Sequence, residues 1–386
     1  MVMTSCFSVR SVVAKDIPAE VWNALANPVD LPFDPFLTHE FFVALEESGS
    51  AVAETGWGPM HLVAESQDGS IAGILPLYLK GHSQGEYVFD HGWAQGYELA
   101  GGRYYPKLLS AVPFTPVTGR RVLTTQPNPA EVTRCLMEAA LAHVQSQGLS
   151  SFHVNFIEPS LASSLEELGF LLRSDTQFHW VNEGYENFDA FLASLQSRKR
   201  KALKKERRQA VANGLQIEWV EGAAIQSEHW QDFYKFYLDT GDRKWGTPYL
   251  TEVFFDQIGP SLAAHIVFVF ALKDGQRIAG ALNFKGSDTL YGRYWGALEY
   301  HPFLHFEICY YQAIEYALTH GLSRVEAGAQ GEHKLLRGYA PTRTLSAHFI
   351  AHEKFRTAVK GFLLEESLHV SLRDEALEGH LPYRKQ

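Results

Sequence analysis

The chain has 386 residues, 46% of them hydrophobic and 20% charged, with a formal net charge of −10. That is the make-up of a soluble globular protein of two or three domains. Three widely spaced cysteines, Cys6, Cys135 and Cys309, exclude a disulfide framework and metal-knuckle spacing and fit a reducing, cytoplasmic setting.

At the N-terminus, MVMTSCFSVRSVVAKDIP has no long apolar core, because Arg10 and Lys15 interrupt it, so no signal peptide is expected. PFLTHEFF (35–42) then predicts a helix, and ESQDGSIAGILPLY (65–78) a strand, an Asp-Gly turn and a second strand. HGWAQGYELAGGRYYPKLLSAVPFTPVTGRR (91–121) is dense in Gly, Pro and aromatics. Loops of that length are commonly functional, which makes Pro113, Phe114 and Arg120 candidate ligand contacts. ALAHVQSQGLSSFHV (140–154) reads as a helix, a glycine stop and a strand.

FDAFLASLQSRKRKALKKERRQAVANG (188–214) is predicted as one helix, capped by Asn187 and stopped by Asn213-Gly214. Its segment 197–208 concentrates eight basic side chains in twelve positions on an otherwise acidic chain. At 100° per residue, Phe188, Leu192, Leu195, Leu203 and Ala210 form one stripe. Arg198, Lys201, Lys204, Lys205 and Arg208 face the other way, as a solvated surface would. Lys199 falls inside the stripe, with Arg200 and Arg207 along its edge. Three cations beside a buried stripe call for something anionic opposite them, so an anionic ligand or nucleic acid is expected there.

FYKFYLDTGDRKWGTPYL (233–250) follows, predicted as a helix ending at a Thr-Gly turn, with Arg243, Lys244 and Trp245 suited to hold an anion beside an aromatic wall. From here the chain repeats itself. PYLTEVFF (248–255), LKDGQRIAGALNF (272–284) and AIEYALTHGLSRVEA (313–327) echo three first-half segments in the same order, at offsets of 213, 207 and 173 residues. Three matches in register indicate internal duplication. Each half reads as a helix, antiparallel strands, a helix and a returning strand, a mixed α/β unit, with the halves divided as 1–185 and 186–386. AAHIVFVFAL (263–272) is a buried strand, too short to span a bilayer.

YGRYWGALEYHPFLHFEICYYQAIEYALTHG (291–321) places Arg293, Tyr294 and Trp295 on a strand and His305 and Glu307 at a helix start. His301, His305 and Glu307 lack the HExxH order and a further ligand, so His305 and Glu307 are expected to cap or to face a ligand rather than bind metal. Cys309, in an apolar helix, reads as a small buried hydrophobe. RVEAGAQGEHKLLRGYAPT (324–342) then crowds Glu326, His333, Lys334, Arg337 and Tyr339 into a loop with three glycines before Tyr339. Glycines permit close backbone approach to a ligand, and the mixed titratable groups suit proton transfer.

The stretches LQSRKRKALKKERRQAVANGLQIEWVEG, WQDFYKFYLDTGDRKWGTPYL, LYGRYWGALEYHPFLHFEICYYQAIEYA and EAGAQGEHKLLRGYAPT, with YYPKLLSAVPFTPVTGRR in the first half, resemble the FemAB-like proteins of the GNAT acyltransferase superfamily over residues 30–350. The resemblance implies two tandem GNAT-like domains, agreeing with the repeat, and an N-acyl- or aminoacyltransferase acting on a small-molecule amine. Fem-type relatives move an aminoacyl group from a charged tRNA, usually onto a cell-wall precursor. Aminoacyl-tRNA or acyl-CoA is therefore the implied donor, with tRNA the partner of the basic helix. The sequence departs from ordinary GNAT enzymes in one respect. Their R/Q-x-x-G-x-G/A loop cradles the CoA pyrophosphate on backbone N–H groups, whereas LEYHPFLHFEI has no glycine and VPFTPVTGRR has one. Acetyl-CoA is not expected to bind in the standard manner.

On this reading Glu326 or His333 takes the amine proton, Tyr294 or Tyr339 protonates the leaving group, a backbone N–H donates to the oxyanion, and Lys334 and Arg337 steady the developing charge. Arg293, His305 and Glu307 complete the ligand contacts. The first returning strand ends SSFHVNFIEPS without the GAQGEHK run, so catalysis is expected in the second domain. The competing class is a non-catalytic module of the same fold that captures an anionic ligand or RNA.

Overall fold

The computed structural model describes residues 7–125, 129–244, 248–328 and 331–384. The chain forms two compact units, one of Met1–Asp175 with Arg343–Ser371, the other of Thr176–Thr342 with Leu372–Gln386.

The first unit opens with β1 (Ser8–Val12), α1 (Ala19–Ala26) and α2 (His39–Glu47), then β2 (Trp57–Pro59), β3 (His61–Glu65), β4 (Ile71–Leu75) and β5 (Tyr78–Lys80). Next come α3 (His91–Leu99), β6 (Lys107–Ser110), α4 (Pro129–Gln147), β7 (Ser151–Ile157) and α5 (Pro159–Glu167). β1, β3 and β4 make one antiparallel sheet, and β2, β5, β6 and β7 are neighbours in another. α4 crosses over so that β7 returns parallel to β6. It buries Val132, Leu136, Met137, Ala140 and Val144 against Leu108, Phe152 and Val154. Burial of such side chains stabilises by about 1.5–3 kcal/mol each.

β8 (Leu171–Val181) carries the chain into the second unit, which continues with α6 (Phe188–Ser194), α7 (Ser197–Ala210), β9 (Gln216–Glu221), α8 (Ser227–Lys244) and α9 (Glu252–Ser261). β10 (Ile266–Lys273), β11 (Gln276–Lys285) and β12 (Thr289–Ala297) follow. Helix α10 begins at Leu304–Phe306, passes through a π-helical stretch, Glu307–Tyr311, and ends as Gln312–Thr319. β13 (Arg324–Glu326) returns parallel to β12, and β14 (Ala340–Ile350) and α11 (Glu353–Glu378) come last. The strand order in this unit is β8-β13-β12-β11-β10-β9.

The duplication is visible in atomic detail. Thr38 caps α2 by accepting from the Phe41 N–H, and Thr251 caps α9 by accepting from the Phe254 N–H. In both halves the two phenylalanines that follow the cap are buried. The second Asp-Gly pair, Asp274-Gly275, takes the left-handed conformation at both residues (φ 50° and 77°), as a two-residue hairpin between twisted strands requires.

Three sequence expectations change. The predicted helix 188–214 is two helices, because Leu195 and Gln196 are extended and Leu195 bridges to Tyr383 near the C-terminus. Its cap at Asn187 and its buried stripe (Phe188, Leu192, Leu195, Leu203, Ala210) are as predicted. Thr240-Gly241, read as a turn, lies inside α8. The boundary at 185/186 gives way to one at 175/176 with a return at Arg343, since β14 pairs antiparallel with β7 from Leu345 to Ile350. No helix among the described residues is long and apolar enough to cross a membrane.

Candidate active site

β12 and β13 pair over three positions, Thr289–Tyr291 with Arg324–Glu326. β12 then runs on to Ala297, while the other chain turns away through Ala327 and Gly328. The parting leaves a pocket of ≈100 Å³ lined by Asn283, Gly292, Arg293, Cys309, Tyr310 and Ala327. Trp295 and His305 line this pocket and also a cleft of ≈480 Å³ that extends to Tyr300, Phe303 and Phe306.

Two local irregularities shape the pocket. Leu282 lies opposite Tyr294 but Asn283 opposite Gly292, so Arg293 is the extra residue of a β-bulge. Bulges re-aim side chains and recur beside active sites. On the helix side, Cys309 and Tyr310 sit in the π-helical stretch, another feature concentrated at functional sites.

The loop after β13 supplies the titratable groups. Lys334 is 2% exposed, and its Nζ donates to the Gly328 carbonyl at 2.8 Å, one residue beyond the pocket wall at Ala327. Burial, reinforced by the nearby Arg293 charge, lowers its ammonium to about 7. Glu326, also buried, has His179 Nδ1 at 3.8 Å and Arg324 at 3.9 Å. Burial and then the Arg324 charge bring His179 down to about 3, so its imidazole is neutral. The Tyr310 hydroxyl lies 2.9 Å from His333 Nε2, and burial pushes its phenol well above the ordinary range.

The sequence-predicted residues divide accordingly. Glu326, Tyr294, Arg293, His305, His333 and Lys334 gather around the wedge between β12 and β13. Tyr294 lines the small pocket and sets its ring edge-on to Tyr237. Tyr339 is fully buried and donates to the Tyr310 carbonyl at 3.2 Å, a packing position rather than one facing a leaving group. Arg207 and Glu307, both expected to meet ligand, meet each other at 2.7 Å, and Glu315 takes the same guanidinium. Lys199 and Arg200 are half-buried on α7. Lys201, Lys204, Lys205 and Arg208 line a cleft of ≈830 Å³. Arg243 and Lys244 close α8, and Trp245 lies outside the described residues.

Arg337 is likewise held inside. It donates to Glu206 at 2.8 Å and to the His333 carbonyl at 2.6 Å, with its guanidinium 3.5 Å over the Phe306 ring. The sequence reading has Arg337 steadying the developing charge of the transfer. The geometry instead predicts that Arg337→Ala loses about 2–3 kcal/mol of stability, because a half-buried carboxylate and a carbonyl lose their donor. Thermal denaturation of Arg337→Ala checks this, and an unchanged melting temperature would contradict it.

The first unit has the same three-residue parallel pairing, Leu108–Ser110 with Phe152–Val154, but its wedge is filled by its own chain. Gly119 bridges Ile157 in parallel and donates to the Phe156 carbonyl at 3.1 Å. The buried Arg121 donates to the carbonyls of Asn155 (2.8 Å) and Val117 (2.6 Å). Pro113 and Phe114 are buried, Phe114 against Trp57, and Arg120 donates to the carbonyls of Leu25 and Ala26. All three candidate ligand contacts of this loop are thus internal.

Residues that the sequence reading missed are Tyr310, His179 and Asn283. The only signal for Asn283 is an amide in an otherwise apolar strand, RIAGALNF.

Among curated proteins, no sequence matches the chain. Solved structures do. FemX aligns at 13% identity over 89% of this chain and 98% of its own, with a TM-score of 0.55. L-PGS from Bacillus licheniformis aligns at 10% identity over 87% of this chain and 99% of its own, TM-score 0.50. A conserved protein of unknown function from Bacteroides thetaiotaomicron aligns at 10% identity over 89% and 99%, TM-score 0.50. The shared fold is a two-unit α/β arrangement, with one parallel-returning strand pair per half. A family model described as FemAB-like, peptidoglycan biosynthesis/recognition, matches residues 13–385, and the chain belongs to that family.

Proposed function

We propose that this member of a transferase family moves an acyl or aminoacyl group from an activated ester or thioester onto an amine, at the wedge of the second unit. The observation that carries the reading is Lys334, a buried amine brought to about 7 beside the Arg293-lined pocket. The neutral Lys334 amine takes a proton from the acceptor amine as that nitrogen attacks the donor carbonyl. The Arg293 guanidinium offers hydrogen bonds to the oxyanion. Tyr310, hydrogen-bonded to His333, returns a proton to the departing oxygen or sulfur. The filled wedge of the first unit supports placing the chemistry in the second.

The absence of glycine from 298–308 and the cation-lined cleft along α7 favour a charged tRNA over acyl-CoA as donor. The family description favours an amine of a cell-wall precursor as acceptor. Incubation with labelled aminoacyl-tRNA or acyl-CoA and candidate amines, with mass spectrometry of the new amide, tests the activity. No amide from either donor would refute it.

If Lys201, Lys205 and Arg208 contact tRNA phosphates, log affinity should fall linearly with log salt. Reversing these three charges should weaken binding and flatten the slope by about two to three units. A gel-shift titration at several salt concentrations measures both. Retention that is unchanged in the variant would remove α7 from the donor site.

A further inference from the structure

The small pocket holds a feature that the transfer mechanism does not use. Asn283 is 1% exposed, and its Nδ2 donates to the Val267 carbonyl at 3.1 Å, but among the described residues its Oδ1 has no hydrogen-bond partner. An unpaired buried acceptor costs about 1–3 kcal/mol, a cost that a ligand hydrogen reaching it would relieve. Asn283 lines the pocket together with Arg293. Gly292 keeps the approach open, since a Cβ there would stand 3.4 Å from Oδ1.

We infer that Asn283 selects the transferred group, accepting a hydrogen bond from a neutral O–H or N–H on the carbon next to its carbonyl. The inference rests on the second-unit wedge being the transfer site. Arg293 donates and Asn283 accepts on the walls of one pocket, a pattern that matches a carbonyl oxygen beside an α-hydroxyl or α-amine. The guanidinium disfavours an ammonium beside it, so the amine form is the neutral one. A volume of ≈100 Å³ admits a glycolyl or glycyl unit beside Asn283. An acetyl or propionyl group would leave the acceptor unpaired, and sites built around a hydrogen bond reject analogues that lack it.

Ligand-observed NMR with methyl glycolate and methyl propionate, which differ by a hydroxyl in place of a methyl, tests this on the full chain. Methyl glycolate should bind about tenfold or more tightly than methyl propionate. Gly292→Ala should erase that preference with the melting temperature unchanged, because its Cβ would make only ordinary van der Waals contacts of 3.4–3.7 Å. Asn283→Ala should erase it too, and if that variant fails to fold, Gly292→Ala alone decides. Equal affinity for the two esters, binding of neither, or a preference that survives in Gly292→Ala overturns the inference. The readout is binding, so failure of Lys334-dependent transfer would sink the functional reading while leaving this selectivity intact.

Discussion

Lys334→Gln is expected to lower the rate of transfer by about 10²–10⁴-fold, the usual contribution of a positioned general base. The acceptor amine arrives protonated or must shed a proton as it attacks, and Gln cannot receive one. The wild-type rate should rise as pH increases through about 7, where the Lys334 ammonium gives up its proton, and then level off. That limb should be missing from the variant. Stability provides an independent check. The amine has its ordinary value of 10.5 when unfolded and about 7 when folded, so between these the unfolded chain binds more protons. Stability should therefore rise with pH across that window, and the rise should shrink in Lys334→Gln. A variant with wild-type turnover would remove Lys334 from the chemistry.

Lys107→Met is expected to cost about 3–5 kcal/mol, enough to unfold a marginal unit. In the first unit Lys107 is completely buried, with Asp90 at 2.5 Å, Glu86 at 2.9 Å and the Ser83 hydroxyl at 2.8 Å. Burial alone would raise Asp90, but the Lys107 charge outweighs it and holds that carboxyl below its ordinary value. Burial raises Glu86 to about 7 in spite of the same cation. Removing Lys107 leaves Asp90, beside the Tyr104 and His153 side chains, either charged without a cation or forced to take up a proton, and both cost stability. Thermal or denaturant unfolding checks the loss. Substituting Asp90→Asn and Glu86→Gln in the same chain should recover much of it, because the stranded charges go too. A Lys107→Met protein as stable as wild type would mean that the cluster is neutral in the native state.

These two lysines show where the sequence was legible and where it was not. Duplication, the Asn187 cap and the strand pairs are readable because they are local: a repeated Leu-Thr before a Phe-Phe pair, an Asn ahead of an apolar stripe, an Asp-Gly between apolar runs. The loop 324–339 stood out for the same reason, since its glycines and titratable groups are adjacent in the chain. Pairings between distant segments were not readable. Arg207 finds Glu307 from 100 residues away, so its excess charge looked like a ligand site. Leu195 is pulled out of the helix by Tyr383, and nothing near residue 195 announces it. Lys107 sits alone in the run KLLSAV, with its carboxylates in a separate segment. Lys334 was identified, but as a fixed cation. Burial and the neighbouring Arg293 make it a near-neutral amine, and burial is a property of the fold.

The most direct test is to titrate the Lys334 side chain itself. Heteronuclear NMR of labelled lysine, with Lys334→Gln used to assign the signal, follows the Cε and Nζ shifts against pH in the intact chain. A midpoint near 7 is the predicted result, with the signal perturbed when a donor ester is added. A midpoint at or above the ordinary value of 10.5, with no response to donor, would leave the second unit without its base and contradict the account.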